Sequence, residues 1–206
     1  KTGILLEGKV SASIRDSNFL NPRGFSVQSS QDGWQLNMQN NKITIGIGHM
    51  VTLNGRGEAI ITKNVFSGQN DSKDANIIHK SGGSDLAICL TGVPNCIIDQ
   101  NTFKHLQRGA VEATQSSVRV TNNVLLEMQQ FPLFFKNSNI EVVKNIIRNE
   151  RSKPQNAIHI QDGCSGSISQ NEYVSLNPRF LEVVGQSSTI RDTDNNIQKY
   201  NQFDQK

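Results

Sequence analysis

The chain has 206 residues, of which 35% are hydrophobic and 6% aromatic, and its formal net charge at pH 7 is +3. This length suits one domain or one elongated solenoid, and the modest apolar content predicts a narrow core under a large polar surface. The slight charge and the lack of a basic tract with interleaved aromatic residues argue against a nucleic-acid partner. No apolar run is long enough to span a membrane.

A seven-residue sequence motif recurs along the whole chain. Its clearest copy, Ile60–Phe66, has two apolar residues, two polar residues, an Asn, a variable residue and a large apolar residue. The copies are anchored at Ser17, Asn41, Asn64, Asn101, Asn123, Asn145, Asn171 and Asn195. Successive anchors lie 22 to 26 residues apart, except for one interval of 37 residues. A near-constant period in this range predicts a repeat architecture.

The residues around each anchor alternate between apolar and polar. The residue two positions after the anchor is apolar in every copy, and so is the residue three positions before it, except Asp192 in the last copy. Alternation over so short a span predicts strands, with parallel strands stacking about 4.8 Å apart. The anchor Asn is predicted to supply the left-handed backbone conformation of a tight bend, and its amide to bond the Asn one coil away.

This pattern resembles the right-handed parallel β-helix proteins of the pectin-lyase-like superfamily, whose solenoid contains an internal Asn ladder. The resemblance implies an all-β fold, a right-handed single-stranded parallel β-helix of about eight coils of 22–26 residues. Residues 1–206 are expected to form a single domain that is a portion of a longer β-helix or assembly. A leucine-rich solenoid would need a Leu pattern and a hexapeptide solenoid a six-residue period, and the chain has neither.

The first predicted strand lies within Gly3–Gly8, and no amphipathic helix precedes it to cap the stack. Because an open solenoid end exposes strand edges, we expect more of the same polypeptide, another copy or another chain to cover the first coil. The alternative is a polar first coil that tolerates exposure, which Ser11, Ser13 and Arg15 favour.

The long interval between Asn64 and Asn101 contains a polar insertion, residues 67–84, which is predicted to protrude as a loop. Long loops on a rigid scaffold tend to carry function, although this insertion could equally be a surface loop without a function. The insertion supplies His79 and Lys80 as candidate substrate-binding residues.

No metal or other cofactor is predicted. The acidic residues near the insertion match no calcium-binding loop: they are Asp71, Asp74 and Asp85. The three cysteines, Cys89, Cys96 and Cys164, lack the spacing of a metal site. Cys96 is interpreted as a small buried hydrophobe, and the alternative is a disulfide bridge to Cys89 across one bend.

In the β-helix enzymes that the chain resembles, the substrate groove runs along the first strand of each coil, between the bends on either side. The regular first strands are predicted at Ala87–Gly92, Val111–Thr114, Leu133–Lys136 and Ala157–Gln161. Alternation then predicts an outward-facing set, which a register slip of one residue would invert. The set is Gln28, Thr52, Glu112, Thr114, Phe134, Lys136, His159, Gln161 and Glu182.

Four residues are candidates for catalysis: His159, Lys136, His105 and Arg108. Removing a proton next to a carboxylate needs a cation that neutralises the carboxylate and a base placed on the proton. Lys or Arg can serve as the cation, and His, Lys or Arg as the base, which is the chemistry of uronate lyases and C5-epimerases. Glycoside hydrolysis would instead need paired carboxylates, and the sequence has no Asp-Asp pair.

The candidate substrate-binding residues complete the groove, with Phe134 as an exposed aromatic that suits stacking on a sugar ring. They are Glu112, Phe134, Gln161, Glu182, Lys104, His79 and Lys80. Each charged member also fits an ordinary solvated position on the surface.

Two functions follow from this interpretation. The first is a polysaccharide-binding or polysaccharide-processing β-helix, extracellular or at the cell surface, which acts on an acidic glycan. The second is a non-catalytic β-helix such as an adhesin stalk, a phage-fibre section or a scaffold, which the lack of a full catalytic signature favours.

Overall fold

The computed structural model describes residues 3–21, 27–45, 48–68, 86–149, 155–176, 178–185 and 187–199. Within these ranges the chain forms strands, turns and bends, and no helix there is long and apolar enough to cross a membrane. The strands make three parallel sheets of eight strands each, and each coil contributes one strand to every sheet. The predicted all-β solenoid of about eight coils is therefore confirmed.

The first strand of each coil lies in sheet A, which contains β1 (Ile4–Leu6), β4 (Val27–Ser29), β7 (His49–Asn54), β10 (Leu86–Thr91), β13 (Gly109–Thr114), β16 (Leu133–Lys136), β19 (Gln155–Gln161) and β22 (Pro178–Val184). Sheet B contains β2 (Ser11–Arg15), β5 (Gln35–Gln39), β8 (Glu58–Thr62), β11 (Asn95–Asp99), β14 (Ser117–Thr121), β17 (Asn139–Val143), β20 (Ser165–Ser169) and β23 (Thr189–Thr193). Sheet C contains β3 (Asn18–Asn21), β6 (Lys42–Ile45), β9 (Val65–Gly68), β12 (Thr102–Lys104), β15 (Val124–Leu126), β18 (Ile146–Asn149), β21 (Glu172–Ser175) and β24 (Asn196–Lys199).

The core is a column of apolar side chains between the three sheets. Equivalent positions stack on one another from coil to coil, as Phe66 and Phe103 show, whose rings are parallel within 8° at a centroid distance of 5.0 Å. Trp34 is fully buried, and its indole nitrogen donates a hydrogen bond to the carbonyl of Asn54 at 2.9 Å. The side chains that remain outside this column point outward from the three sheets.

An Asn ladder runs along the bends between sheets B and C. The backbone N–H and the side-chain amide of Asn101 both donate to Oδ1 of Asn123, at 2.8 and 3.1 Å, and the same pair of bonds recurs from Asn41 to Asn195. The residue before each anchor, for example Lys63 or Gln100, has the positive φ. The expectation that the anchor Asn itself takes this conformation is wrong, since its side chain must point inward to bond the next coil.

A second, unpredicted ladder follows the bends between sheets A and B. The backbone N–H of Ser116 donates to Oγ of Ser138, that of Ser138 to Sγ of Cys164, and that of Cys164 to Oγ of Ser188, at 3.2, 3.4 and 3.2 Å. These side chains satisfy buried backbone donors that the tight bend leaves without partners. They therefore fix the edge of sheet A in the last coils.

All three cysteines are free. Cys89 lies on the outer face of sheet A and Cys96 faces the core from sheet B, so the alternative of a bridge between them is wrong. Ser67 and Gly68, which the sequence assigned to the protruding loop, are the last residues of β9. The rest of the insertion, with its histidine, its lysines and its acidic residues, lies outside the described residues, as does Asp85.

Candidate functional site

Five side chains form a continuous row on the outer face of sheet A. Cys89, Glu112, Phe134, His159 and Glu182 occupy directly paired positions on five successive strands. Since parallel strands lie about 4.8 Å apart, this sheet A row presents one side chain every ~4.8 Å along the solenoid axis. The outward orientation that strand alternation predicted for Glu112, Phe134, His159 and Glu182 is thus observed.

His159 is held by a carboxylate. Its Nδ1 lies 2.7 Å from Oε2 of Glu182, and the same oxygen accepts a hydrogen bond of 2.5 Å from the amide of Asn156. The His159 side chain is 13% exposed, whereas that of Glu182 is 43% exposed. Because the carboxylate engages Nδ1, Nε2 is the ring nitrogen through which His159 can exchange a proton with a bound molecule.

Two phenylalanine rings enclose the imidazole. The ring of Phe134 stacks on that of His159 within 8° at 5.2 Å, and the ring of Phe131 lies 4.5 Å from it at 31°. Phe131 belongs to the bend before β16, where the carbonyl of Pro132 accepts the backbone N–H groups of Ala110 and Val111. This bend lies so close to β13 that a Cβ on Gly109 would overlap the carbonyl oxygen of Phe131. Gly109 therefore permits the approach that brings Phe131 over sheet A.

A cleft of about 170 Å³ opens beside these rings. Its lining consists of Leu86, Arg108, Val111, Glu112, Gln130, Phe131 and Phe134. Arg108 and Glu112 face each other in it as an ion pair of 2.5 Å, with side chains 37% and 21% exposed. The cleft thus combines two aromatic side chains with one compensated pair of opposite charges.

His49 and Cys89 stand close enough to this ion pair to feel both charges. Burial lowers the pKa of His49, the Arg108 charge lowers it further, and Glu112 acts in the opposite direction. The pKa of Cys89 is raised to about 11, chiefly by burial and further by the charge of Glu112, while Arg108 opposes the rise. Near neutral pH the imidazole of His49 is therefore uncharged and the thiol of Cys89 is protonated, which leaves Cys89 a poor nucleophile.

Lys136 and Gln161 form a second row beside the first. They are paired with each other and lie two residues along their strands from Phe134 and His159. Nζ of Lys136 lies 3.8 Å from Oδ2 of Asp162, and both side chains are about two-fifths exposed. An ion pair of this length and exposure contributes little, so a ligand carboxylate can compete for the Lys136 ammonium group.

The remaining candidates are not brought into the row. Lys104 is the last residue of β12 in sheet C, and His105 follows it with a φ of 55° at the start of the bend. His79 and Lys80 lie outside the described residues. Arg108, three residues after His105, is the residue of this bend that reaches the outer face of sheet A, through Glu112.

Sequence reasoning missed three residues of the site. Asn156 precedes the regular part of its predicted strand, Phe131 belongs to a bend of irregular length, and His49 directly follows the segment Gly46–Gly48. The observed pairing of His49 with Leu86 shows that β7 begins at His49. Alternation along β19 could not have found Asn156, because it places Asn156 on the same side as the buried Ile158 and Ile160.

Two larger depressions lie on the outer face of sheet B, with volumes of about 430 and 360 Å³. Serine and asparagine side chains make up much of their lining, and Arg119 and Glu141 form an exposed ion pair of 2.7 Å in the larger one. No histidine lines either depression among the residues described. Sheet A, where a histidine is placed against a carboxylate, is therefore the stronger candidate for chemistry.

Across the described ranges, no group of three or more His, Cys, Asp and Glu residues is placed to hold a metal ion. The family model for the right-handed beta helix region matches residues 2–198 of the chain. No curated protein and no solved structure matches it.

Proposed function

The chain belongs to the right-handed beta helix family, and we propose that it binds and processes an acidic polysaccharide along sheet A, outside the cell or at its surface. The proposed reaction is that of a lyase or an epimerase on a uronate residue. One observation carries the proposal: His159 is placed against Glu182 at 2.7 Å, with the Lys136 ammonium group in the neighbouring row.

The proposed chemistry begins with proton removal. Nε2 of His159 takes the C5 proton of the uronate, and the electron pair left on C5 spreads into the adjacent carboxylate. Lys136, on the neighbouring strand and two residues along, neutralises that carboxylate and stabilises the charge that develops on it. Glu182 stabilises the imidazolium that forms, because its carboxylate already accepts from Nδ1.

After proton removal, the reaction can be completed in two ways. In elimination, the electron pair forms the C4–C5 double bond, the C4–O bond breaks, and a proton from solvent or the imidazolium is taken up by the leaving oxygen. In epimerisation, a proton returns to C5 on the opposite face of the ring. A lyase therefore yields an unsaturated uronate and a new chain end, whereas an epimerase leaves the chain intact.

Hydrolysis is disfavoured for the two carboxylates of the sheet A row. Glu112 and Glu182 are separated by three strand spacings, since Phe134 and His159 lie between them. Three spacings amount to roughly 14 Å. Inverting glycosidases place their carboxyl groups about 6.5–9.5 Å apart, and retaining enzymes place them closer still.

Affinity electrophoresis against a panel of acidic and neutral polysaccharides tests the binding part. We expect retardation by acidic glycans, weakened by Lys136→Ala and unchanged by Lys42→Ala, which removes an exposed lysine from sheet C. If no glycan retards the protein, the saccharide proposal is wrong. A stable trimer in solution would then favour the structural role.

Incubation with the retained glycans tests the reaction. Ultraviolet absorbance detects the unsaturated uronate of a lyase, and proton exchange at C5 in deuterated water detects an epimerase. We expect His159→Ala to abolish product while leaving retardation largely intact, because the base contributes to the chemical step more than to binding. Undiminished product from His159→Ala would refute the assignment of the base.

A further inference from the structure

We infer that the cleft beside Arg108 and Glu112 binds an uncharged sugar ring, so that the substrate is a glycan in which uronate residues alternate with neutral ones. This inference rests on the proposed function, because it places the uronate at His159 and the neutral ring in the adjoining cleft. It names the class of polysaccharide that the groove selects.

The charges of the cleft cancel. Arg108 and Glu112 are in contact at 2.5 Å, and Glu112 is 21% exposed. His49 and Cys89, the other ionisable groups that the pair influences, are uncharged near neutral pH because of the pKa shifts described above. The carboxylate of Glu112 would repel a uronate in this cleft, because none of these groups supplies an uncompensated positive charge. The low exposure of Glu112 strengthens that repulsion.

A neutral ring has partners for its hydroxyl groups instead. The guanidinium of Arg108 donates hydrogen bonds, and the carboxylate of Glu112 accepts them. Two neighbouring hydroxyls of one sugar can therefore engage the pair without displacing either charge. The side chains of Phe131 and Phe134, which line the same cleft, offer apolar surface to the C–H face of the ring.

The cleft is contiguous with the proposed base. The ring of Phe131 lines the cleft and also lies 4.5 Å from the ring of His159. The ring of Phe134 also lines the cleft and stacks on the imidazole of His159 at a centroid distance of 5.2 Å, which is about one strand spacing. Neighbouring rings of one glycan lying along the solenoid axis can therefore occupy both places.

The first test compares two probes, polygalacturonate and a backbone that alternates galacturonate with rhamnose. We expect the wild-type protein to bind the alternating polymer about tenfold more tightly, at equal uronate concentration and salt. Glu112→Gln is nearly isosteric and removes the negative charge, so it is expected to raise affinity for polygalacturonate and to erase most of that preference. Glu141→Gln, which disrupts the equivalent ion pair with Arg119 on sheet B, is expected to leave it unchanged.

The second test uses the wild-type protein alone and does not depend on how any variant folds. Saturation-transfer NMR with short alternating oligosaccharides reports which ring protons lie against aromatic side chains, and we expect the strongest transfer to the neutral ring. Equal affinity for both polymers, or strongest transfer to the uronate, would overturn the inference and leave the proposed function standing. Failure of every acidic glycan to bind would instead overturn the proposed function itself.

Discussion

The Asn ladder offers the sharpest test of what holds the solenoid together. Asn123 is fully buried and takes part in four side-chain hydrogen bonds, two accepted from Asn101, one donated to Ile98 and one donated to Asn145. Asn123→Ala removes all four and leaves the buried backbone N–H of Asn101 without its acceptor. At about 1 kcal/mol net for each bond, with a further penalty for the orphaned donor, we expect a loss of about 4–6 kcal/mol.

A matched control lies at the last coil of the ladder. Asn195 also takes part in four side-chain hydrogen bonds, with Asn171, Ile168 and Asp192, but it is only partly buried. Water can replace those bonds, so Asn195→Ala should cost only about 1–2 kcal/mol. The two variants therefore remove equal numbers of bonds and differ in burial.

Urea unfolding followed by far-ultraviolet circular dichroism measures both changes. With an m-value of about 3 kcal/mol/M, Asn123→Ala should lower the unfolding midpoint by roughly 1.5 M, and Asn195→Ala by less than about 0.7 M. Because solenoids can unfold coil by coil, hydrogen exchange read by mass spectrometry should place the loss in the coils around Asn123. Equal shifts for the two variants, or a loss below about 1 kcal/mol at Asn123, would refute the argument.

Three further predictions concern cysteines and one glycine. Cys164→Ser should change the free energy of unfolding by less than about 1 kcal/mol or raise it, because a hydroxyl can accept the N–H bond now made to sulfur. Cys96→Ser should lower the free energy of unfolding by about 1–3 kcal/mol, because it buries a hydroxyl in the apolar core. Equal effects of the two variants in urea unfolding would contradict this. Maleimide labelling of Cys89 should be slow at pH 8, and its rate should rise about tenfold per pH unit towards the pKa of about 11. Glu112→Gln should accelerate labelling, because it removes a charge that raises this pKa. A labelling rate unaffected by Glu112→Gln would argue against the influence of Glu112 on Cys89. Gly166→Ala should cost more than about 2 kcal/mol in thermal unfolding, since φ is +130° and a Cβ there would overlap the carbonyl of Ile140; an unchanged melting temperature would disprove the reasoning.

The site was predictable to the extent that it follows the strands. Strand alternation placed Glu112, Phe134, His159 and Glu182 on one face because side chains on a strand point to opposite sides in turn. The stacking of coils then set these residues next to each other, although 70 residues separate the first from the last. No such regularity governs the bends, whose lengths vary from coil to coil.

The side chains that the sequence did not place correctly therefore lie in or next to the bends. Phe131 reaches His159 only because Gly109 lets its bend pack against sheet A, and Asn156 reaches Glu182 only because β19 begins earlier than the pattern indicated. Lys104 and His105 were predicted to reach the groove, with Arg108, from the bend that precedes sheet A. Lys104 is the last residue of β12 in sheet C, and His105 lies at the start of that bend.

The sequence by itself determined the solenoid, its coil length, its inward column of apolar residues and the ladder positions, because each of these repeats with a period that few other folds satisfy. Only the tertiary structure decided which side chains meet: the His159–Glu182 contact and the second ladder through Cys164, both between coils, and the Arg108–Glu112 pair within one coil. The physical reason is that a repeat fixes distance along the solenoid axis, whereas each bend fixes the lateral position of its own side chains through local hydrogen bonds and close packing that occur once.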